Sequence, residues 1–424
     1  MSDARTQFRT FWQHVLTLAT GAALAQALSV LALPVLSRLY LLDSYGWFGT
    51  YLAVVFVLQV LVNGGYEVSI VLPSEDQSAS QLLRLSQRIC WAITGGLLLV
   101  LWALEEVLLP LFQWEELQGW HMLWPLSLWL EGQSQALIFA LNRQKRYAII
   151  SAAKVTRTSV TIGLSIILGL QEDHFSGLIM GYVAGQAAYF LTALLYYRQP
   201  FPRGKQNLSA TSKAYEDFPR YAILSTWANN TSRYLPFFLL PGYYSASVNG
   251  LFTKAEKILN IPSALVGMSI GQVFYQQASR AWEESPAALR SLTRRTFLQL
   301  LVLALPFLLV IMWWGPDLFA WVLGEPWREA GIYARWLMPW MFFAFMAGPL
   351  SFLVDVRRKL KVFLYFNLAL LLVRLVVLVW AGTQWTALAT VQAFGVAGAV
   401  MVAGQLIYLL YLGGLFLGKE KRAD

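Results

Sequence analysis

A single cysteine, Cys90, and three widely spaced histidines are all the chain offers for soft-metal or redox chemistry. One thiol closes no internal disulfide, forms no CxxC pair and builds no zinc cluster, so no metal and no cofactor are expected. His14, His121 and His174 fall at the ends of apolar runs, where an interfacial role is expected rather than a proton relay. Charge is scarce as well: 13% of the residues are Asp, Glu, Lys or Arg, against about 25% in a soluble domain. The chain lacks GxxxxGK[ST], GxSxG and HExxH stretches, which removes an ATP-binding engine, a serine nucleophile elbow and a zinc-protease helix.

What the chain has instead is apolar length. It is 57% hydrophobic, with a mean hydropathy of +0.52. About 20 apolar residues cross a bilayer as helix. Twelve spans follow: roughly 14–36, 47–72, 89–112, 120–141, 148–170, 175–197, 219–241, 248–273, 296–315, 331–354, 361–381 and 385–417. The fold expected is all-α, a polytopic membrane protein with 12 transmembrane helices in two six-helix lobes around a central cavity. Residues 1–198 form the first lobe and 219–424 the second. The Pro-, Gly- and Ser-containing stretch 199–218 reads as a cytoplasmic linker. Residues 1–11 run directly into the first span without a small-residue cleavage site, so no removable signal peptide is expected.

The two lobes begin alike. Residues 33–48 read LPVLSRLYLLDSYGWF and residues 235–252 read LPFFLLPGYYSASVNGLF. Each has Leu-Pro, then tyrosine, a short polar turn and Gly-x-Phe. Gly46 pairs with Gly250 and Phe48 with Phe252, and Pro34 meets Pro236 after a two-residue insertion. Falling at the end of spans one and seven, the pattern reads as a parallel repeat of the kind transporters use.

Alternating the spans from a cytoplasmic N-terminus collects 25 of the 32 lysines and arginines on the cytoplasmic side. Among them are Arg143, Lys145, Arg146, Lys154 and Arg157, whereas the outer connections hold acids such as Glu105, Glu115 and Asp317. This is the positive-inside distribution, and it places both termini in the cytoplasm. The net charge of +9 is thus membrane-topological, and no nucleic-acid partner is expected.

The remaining charges lie within the spans. A charge near the bilayer centre costs at least about 2.5–3.5 kcal/mol, so it faces protein or water. The basic ones are Arg38, Arg233, Lys254, Lys257 and Arg374; the acidic ones are Glu67, Glu131 and Glu256. Arg38 and Lys254 lie near helix ends, within snorkelling reach of the headgroups. Arg233 is roughly 20 Å along its helix from Phe218, and Arg374 is near mid-span. Lys254 and Lys257 are three residues apart and share a helix face. A basic cavity at membrane depth would draw in an anion, with arginine forks suited to phosphate oxygens. The glutamates either take up protons or neutralise the neighbouring cations, Glu67 for Arg38 and Glu256 for Lys257. Residues 229–232, Asn-Asn-Thr-Ser, read as polar glue between helices.

Residues 33–51 and 64–76 (GGYEVSIVLPSED) resemble the first two helices of bacterial oligosaccharide flippases, including O-antigen flippases, of the multidrug/oligosaccharidyl-lipid/polysaccharide exporter superfamily. Residues 218–233 (FPRYAILSTWANNTSR) and 249–275 (NGLFTKAEKILNIPSALVGMSIGQVFY) resemble the start of the second lobe in the same family. The resemblance implies two six-helix bundles, a central cavity and alternating access. It implies a substrate of sugar chain on undecaprenyl pyrophosphate, moved from the inner to the outer leaflet of a bacterial inner membrane. Arg38 falls in a family motif and Lys254 and Lys257 in another; Arg233 and Arg374 are assigned from depth alone. Proton or sodium coupling through Glu67, Glu131 or Glu256 would supply the free energy. A polysaccharide polymerase and a chain-length regulator are the partner proteins to expect. A drug–cation antiporter of the same fold would favour buried carboxylates over cations. A membrane glycan polymerase would need a long outer loop, which this chain lacks. A non-transporting scaffold stays open at this stage.

Overall fold

The bilayer dictates the secondary structure. In hydrocarbon each backbone N–H and C=O must find its partner within the segment, and an apolar run without strand edges does so as helix. In a computed structural model the described residues are helical almost throughout, with no strand among them. They are 2–73, 75–171, 174–197, 223–263 and 267–416, the side chains of 2–19, 268 and 269 excepted. The chain divides into two compact units, Met1–Asn230 and Thr231–Asp424. The expected linker, 199–218, lies outside the described residues.

The first unit contains α1 (Ser2–Leu39), α2 (Leu42–Val62), α3 (Asp76–Phe112), α4 (Leu123–Arg143), α5 (Tyr147–Gly169) and α6 (Ser176–Tyr196). Gly64 and Gly65, at φ of 60° and 73°, end the second span and turn the chain into a four-residue helix, Tyr66–Ser69. Helices α5 and α6 approach closely because Gly181 and Gly185 face the α5 backbone. A Cβ at either position would stand 2.8 Å from the Thr161 or Arg157 carbonyl oxygen, respectively. Small residues four apart are the usual means of bringing membrane helices together.

The second unit is built from most of α7 (Ile223–Tyr243), then α8 (Ala246–Leu259), α9 (Met268–Glu284), α10 (Pro286–Leu323), α11 (Arg328–Leu350), α12 (Leu360–Gln384) and α13 (Ala387–Leu412). The eighth span, read as one helix over 248–273, is two. Pro262 follows shortly after the end of α8; it lacks an N–H and its ring crowds the carbonyl four residues back. Ser245 and Ser285 cap the next helices, accepting from Val248 N–H (3.3 Å) and Ala288 N–H (3.1 Å).

The two units repeat one packing scheme. In the first, α4 packs on α2, α3 and α6, and α5 lies along α6; in the second, α11 packs on α8, α10 and α13, and α12 lies along α13. The tyrosines of the sequence repeat lock the matching corners. Tyr40 Oη donates to the Ser165 carbonyl (2.6 Å) and its ring covers Gly169, near the end of α5. The Tyr243 ring covers Gly382, near the end of α12, while Tyr244 Oη donates to the Trp385 carbonyl (2.9 Å). The third span of each unit is a long helix, 37 residues in α3 and 38 in α10.

Eight described segments are long and apolar enough to cross a membrane by themselves. Helices α4, α5, α7 and α8 are not among them. These four carry Glu131, Arg157, Arg233 and Glu256.

Candidate functional site

In the second unit three helices bring buried charge together. Arg233, on α7, donates through Nε to Glu256 Oε1 on α8 at 2.7 Å, and its Nη2 reaches the same oxygen. The side chains are 28% and 9% exposed, so the carboxylate is enclosed while the arginine side chain is partly open. Glu256 therefore partners Arg233, 23 residues away, rather than Lys257 or Arg38.

Arg374, on α12, is 1% exposed. Its guanidinium carbon lies 4.0 Å from the Trp340 ring centroid and 4.6 Å from that of Phe394. Nη1 donates to Ser232 Oγ at 3.3 Å, and Nε and Nη2 have no hydrogen-bond partner among the described residues. Gly398 makes this fit possible: a Cβ there would collide with Nη2 and stand 3.0 Å from Trp340 Cγ. Two aromatic faces thus supply much of the compensation for a desolvated cation. Ser232 is the one member of the Asn-Asn-Thr-Ser run seen to tie α7 to α12.

Lys254 is fully buried, with Nζ 4.8 Å from the Trp327 centroid, whereas Lys257 is exposed. Three residues on a helix differ by 60° in azimuth, which here separates an inward from an outward position. Arg38 is exposed in the last turn of α1, where a cation complements the helix dipole. Glu67 sits half-buried on the short Tyr66–Ser69 helix, its Oε2 without a hydrogen-bond partner among the described residues.

The first unit has a second Arg–Glu pair, which sequence reading missed. Glu131 on α4 lies 3.3 Å from Arg157 Nη2 on α5, with side-chain exposures of 7% and 28%. Arg157 also stacks on Tyr189 of α6, 5.3 Å from its centroid, and Gln135 Nε2 donates to Glu131 Oε1 at 2.8 Å. Lys154 and Arg157, assigned by sequence to the cytoplasmic cations, are inside α5. Arg157 is ten residues past Tyr147, roughly 15 Å at 1.5 Å per residue, and that depth was the signal available. Arg157 and Arg374 occupy matching places: each is on the fifth span of its unit, between the fourth and the sixth. The fourth span contributes a carboxylate in one unit and Trp340 in the other.

Each of the two units thus encloses guanidinium groups between its helices. Solved structures show the same fold. One is an inward-facing multidrug resistance MATE family transporter of the MOP superfamily, with a TM-score of 0.71, 12% identity, and coverage of 95% of this chain and 96% of that one. Another is the lipid II flippase MurJ in an inward closed conformation, with a TM-score of 0.70, 12% identity, and coverage of 93% and 87%. A third is a MOP superfamily transporter from Pyrococcus furiosus with a binding pocket of reversed polarity, with a TM-score of 0.63, 11% identity, and coverage of 95% and 96%. No curated protein matches the chain. The chain belongs to the polysaccharide biosynthesis protein family, whose model matches residues 35–331. That agrees with the resemblance seen in its first, second, seventh and eighth spans.

Proposed function

We propose that the protein is a flippase for an undecaprenyl-pyrophosphate-linked oligosaccharide, an O-antigen or exopolysaccharide repeat unit, and performs no covalent chemistry. It sits in a bacterial inner membrane with both termini in the cytoplasm and works beside a polymerase and a chain-length regulator. The observation that carries this reading is the set of guanidinium and ammonium groups at membrane depth in a polysaccharide-biosynthesis chain of transporter fold. A cation at that depth must face protein or water, and a phosphorylated headgroup is a ligand that rewards keeping it there.

In this reading the pyrophosphate meets Arg233, whose side chain is partly open beside Glu256, and Lys257, which is exposed. Arg374 and Lys254 supply positive potential from behind, and Arg38 contributes at the end of α1. The protein works by alternating access, exposing its substrate to one leaflet and then the other. Protons or sodium ions drive the cycle, with Glu67, Glu131 and Glu256 as the carboxylates able to carry them.

Vesicles containing the purified protein and a labelled undecaprenyl-pyrophosphate glycan test this. The expected result is transfer of label between leaflets at a rate set by the protein and by an imposed ion gradient. Gradient-driven uptake of a cationic dye without glycan transfer would make it a drug antiporter. In a deletion strain, shortened chains with normal leaflet distribution would make it a polymerase.

A further inference from the structure

The two enclosed Arg–Glu pairs differ in how well they are made. Arg233 and Glu256 form a close two-pronged contact. Glu131 Oε2 and Arg157 Nη2 stand 3.3 Å apart, yet that oxygen is buried and has no hydrogen-bond partner among the described residues. The contact is Coulombic without an aligned hydrogen bond. Arg157 is meanwhile held from another side by the Tyr189 face, while Tyr182, on the same helix as Tyr189, accepts from Gln186 Nε2 at 2.7 Å. The guanidinium is thus fixed in place while its acidic partner is poorly engaged. The Arg157 side chain as a whole is 28% exposed, and a charge within a span faces protein or water.

We propose that Arg157 is an anion site for the diphosphate headgroup, and that Glu131 is its built-in competitor, released by proton uptake. This inference rests on the flippase reading above. With Glu131 ionised, the carboxylate occupies the cation. When Glu131 takes a proton, the attraction ends, and a phosphate oxygen meets a guanidinium that is already oriented. One proton is therefore taken up with one headgroup contact, which couples proton binding to an anionic cargo.

The other titratable or charged groups around α4 are otherwise engaged or placed elsewhere. Tyr51 of α2 shares a hydrogen bond with Ser127 Oγ (2.6 Å), and Cys90 of α3 meets the Trp129 carbonyl (3.8 Å). His121, before α4, donates through Nδ1 to the Leu117 carbonyl (3.2 Å), and its Nε2 approaches Glu105 (3.7 Å). Glu67 is on the Tyr66–Ser69 helix, and Lys154 lies almost one turn before Arg157 on α5.

The test measures inorganic pyrophosphate binding to the purified full-length protein between pH 5 and pH 8. Titration of pyrophosphate itself is common to all variants, so the affinity ratio of Glu131→Gln to wild type isolates the glutamate. The expected ratio is about tenfold tighter for Glu131→Gln at pH 8, the size of one additional charge-assisted hydrogen bond, and it narrows as the pH falls. Arg157→Gln should weaken binding about tenfold. Should that variant fail to fold, Glu131→Gln/Arg157→Gln removes both charges and should bind as weakly as Arg157→Gln was expected to. A Glu131→Gln protein that binds no tighter, or a double variant that binds like wild type, overturns the proposal and leaves a structural ion pair. Those outcomes with normal glycan transfer leave the flippase reading standing. Absence of glycan transfer by the wild-type protein would instead remove that reading, and this inference with it.

Discussion

The Arg374 guanidinium lies over Trp340 with its carbon 4.0 Å from the ring centroid, and no carboxylate of the described residues forms an ion pair with it. A buried cation held chiefly by aromatic faces contributes little net stability, because desolvation offsets what the rings return. Arg374→Met should therefore leave the melting temperature in detergent unchanged or higher while glycan transfer falls. Trp340→Leu should lower the melting temperature, by the equivalent of about 2 kcal/mol or more, since it exposes the same cation to an apolar wall. Thermal melts followed by tryptophan fluorescence, beside a transfer assay, separate the two effects.

Gly398 gives a second handle on the same contact. Adding a methyl group there drives the guanidinium off Trp340, at a cost of roughly 1–3 kcal/mol. Gly404, on the same helix, has open space around it, so Gly404→Ala should be neutral or slightly stabilising. Gly398→Ala combined with Arg374→Met should recover most of the loss. A double-mutant cycle measures that coupling, and additive effects would show that the two residues do not communicate.

For Arg233 and Glu256 the prediction has the opposite sign. Removing one partner of an enclosed pair strands the other, and Arg233→Gln should cost about 3 kcal/mol. The double variant Arg233→Gln/Glu256→Gln should be closer to wild type in chemical or thermal unfolding. Export should stay low in both, because the Arg233 guanidinium is gone from each.

The corner contacts test the repeat. Gly169→Ala and Gly382→Ala each push a Cβ into a tyrosine ring, Tyr40 in one unit and Tyr243 in the other. Both should lower the melting temperature by similar amounts. Gly163→Ala, in open space on α5, should not.

The class of fold and the number and order of spans could be read directly, since apolar length and the cost of unpaired backbone in lipid leave few alternatives. Depth was legible too: the 1.5 Å rise places Arg233 and Arg374 away from the helix ends without any structure. Azimuth was not. Whether Glu256 turns to Lys257 or crosses to α7 depends on which face of α8 packs inward, and a string of residues does not carry that. The same holds for Lys254 and Lys257, which share a sequence neighbourhood and end on different sides of the helix surface. Arg157 was overlooked for a different reason: counting cations by loop absorbed a residue three turns inside a helix. Pro262 signalled the interrupted eighth span, but prolines inside α1 and α7 are tolerated, so its presence alone did not decide the matter.

Helix α10 runs for 38 residues, about 57 Å at 1.5 Å per residue, against a hydrocarbon layer of about 30 Å. Nearly half of it therefore stands outside the lipid as one piece with the part inside, and α3 does the same in the first unit. Such a rod is a pointer. A tilt of a few degrees about the bilayer midplane, too small to resolve among packed side chains, would sweep its aqueous tip through several ångströms. Labels near Pro286 and Asp76 would thus read the motion of the buried halves from the water, without touching any residue that meets the cargo.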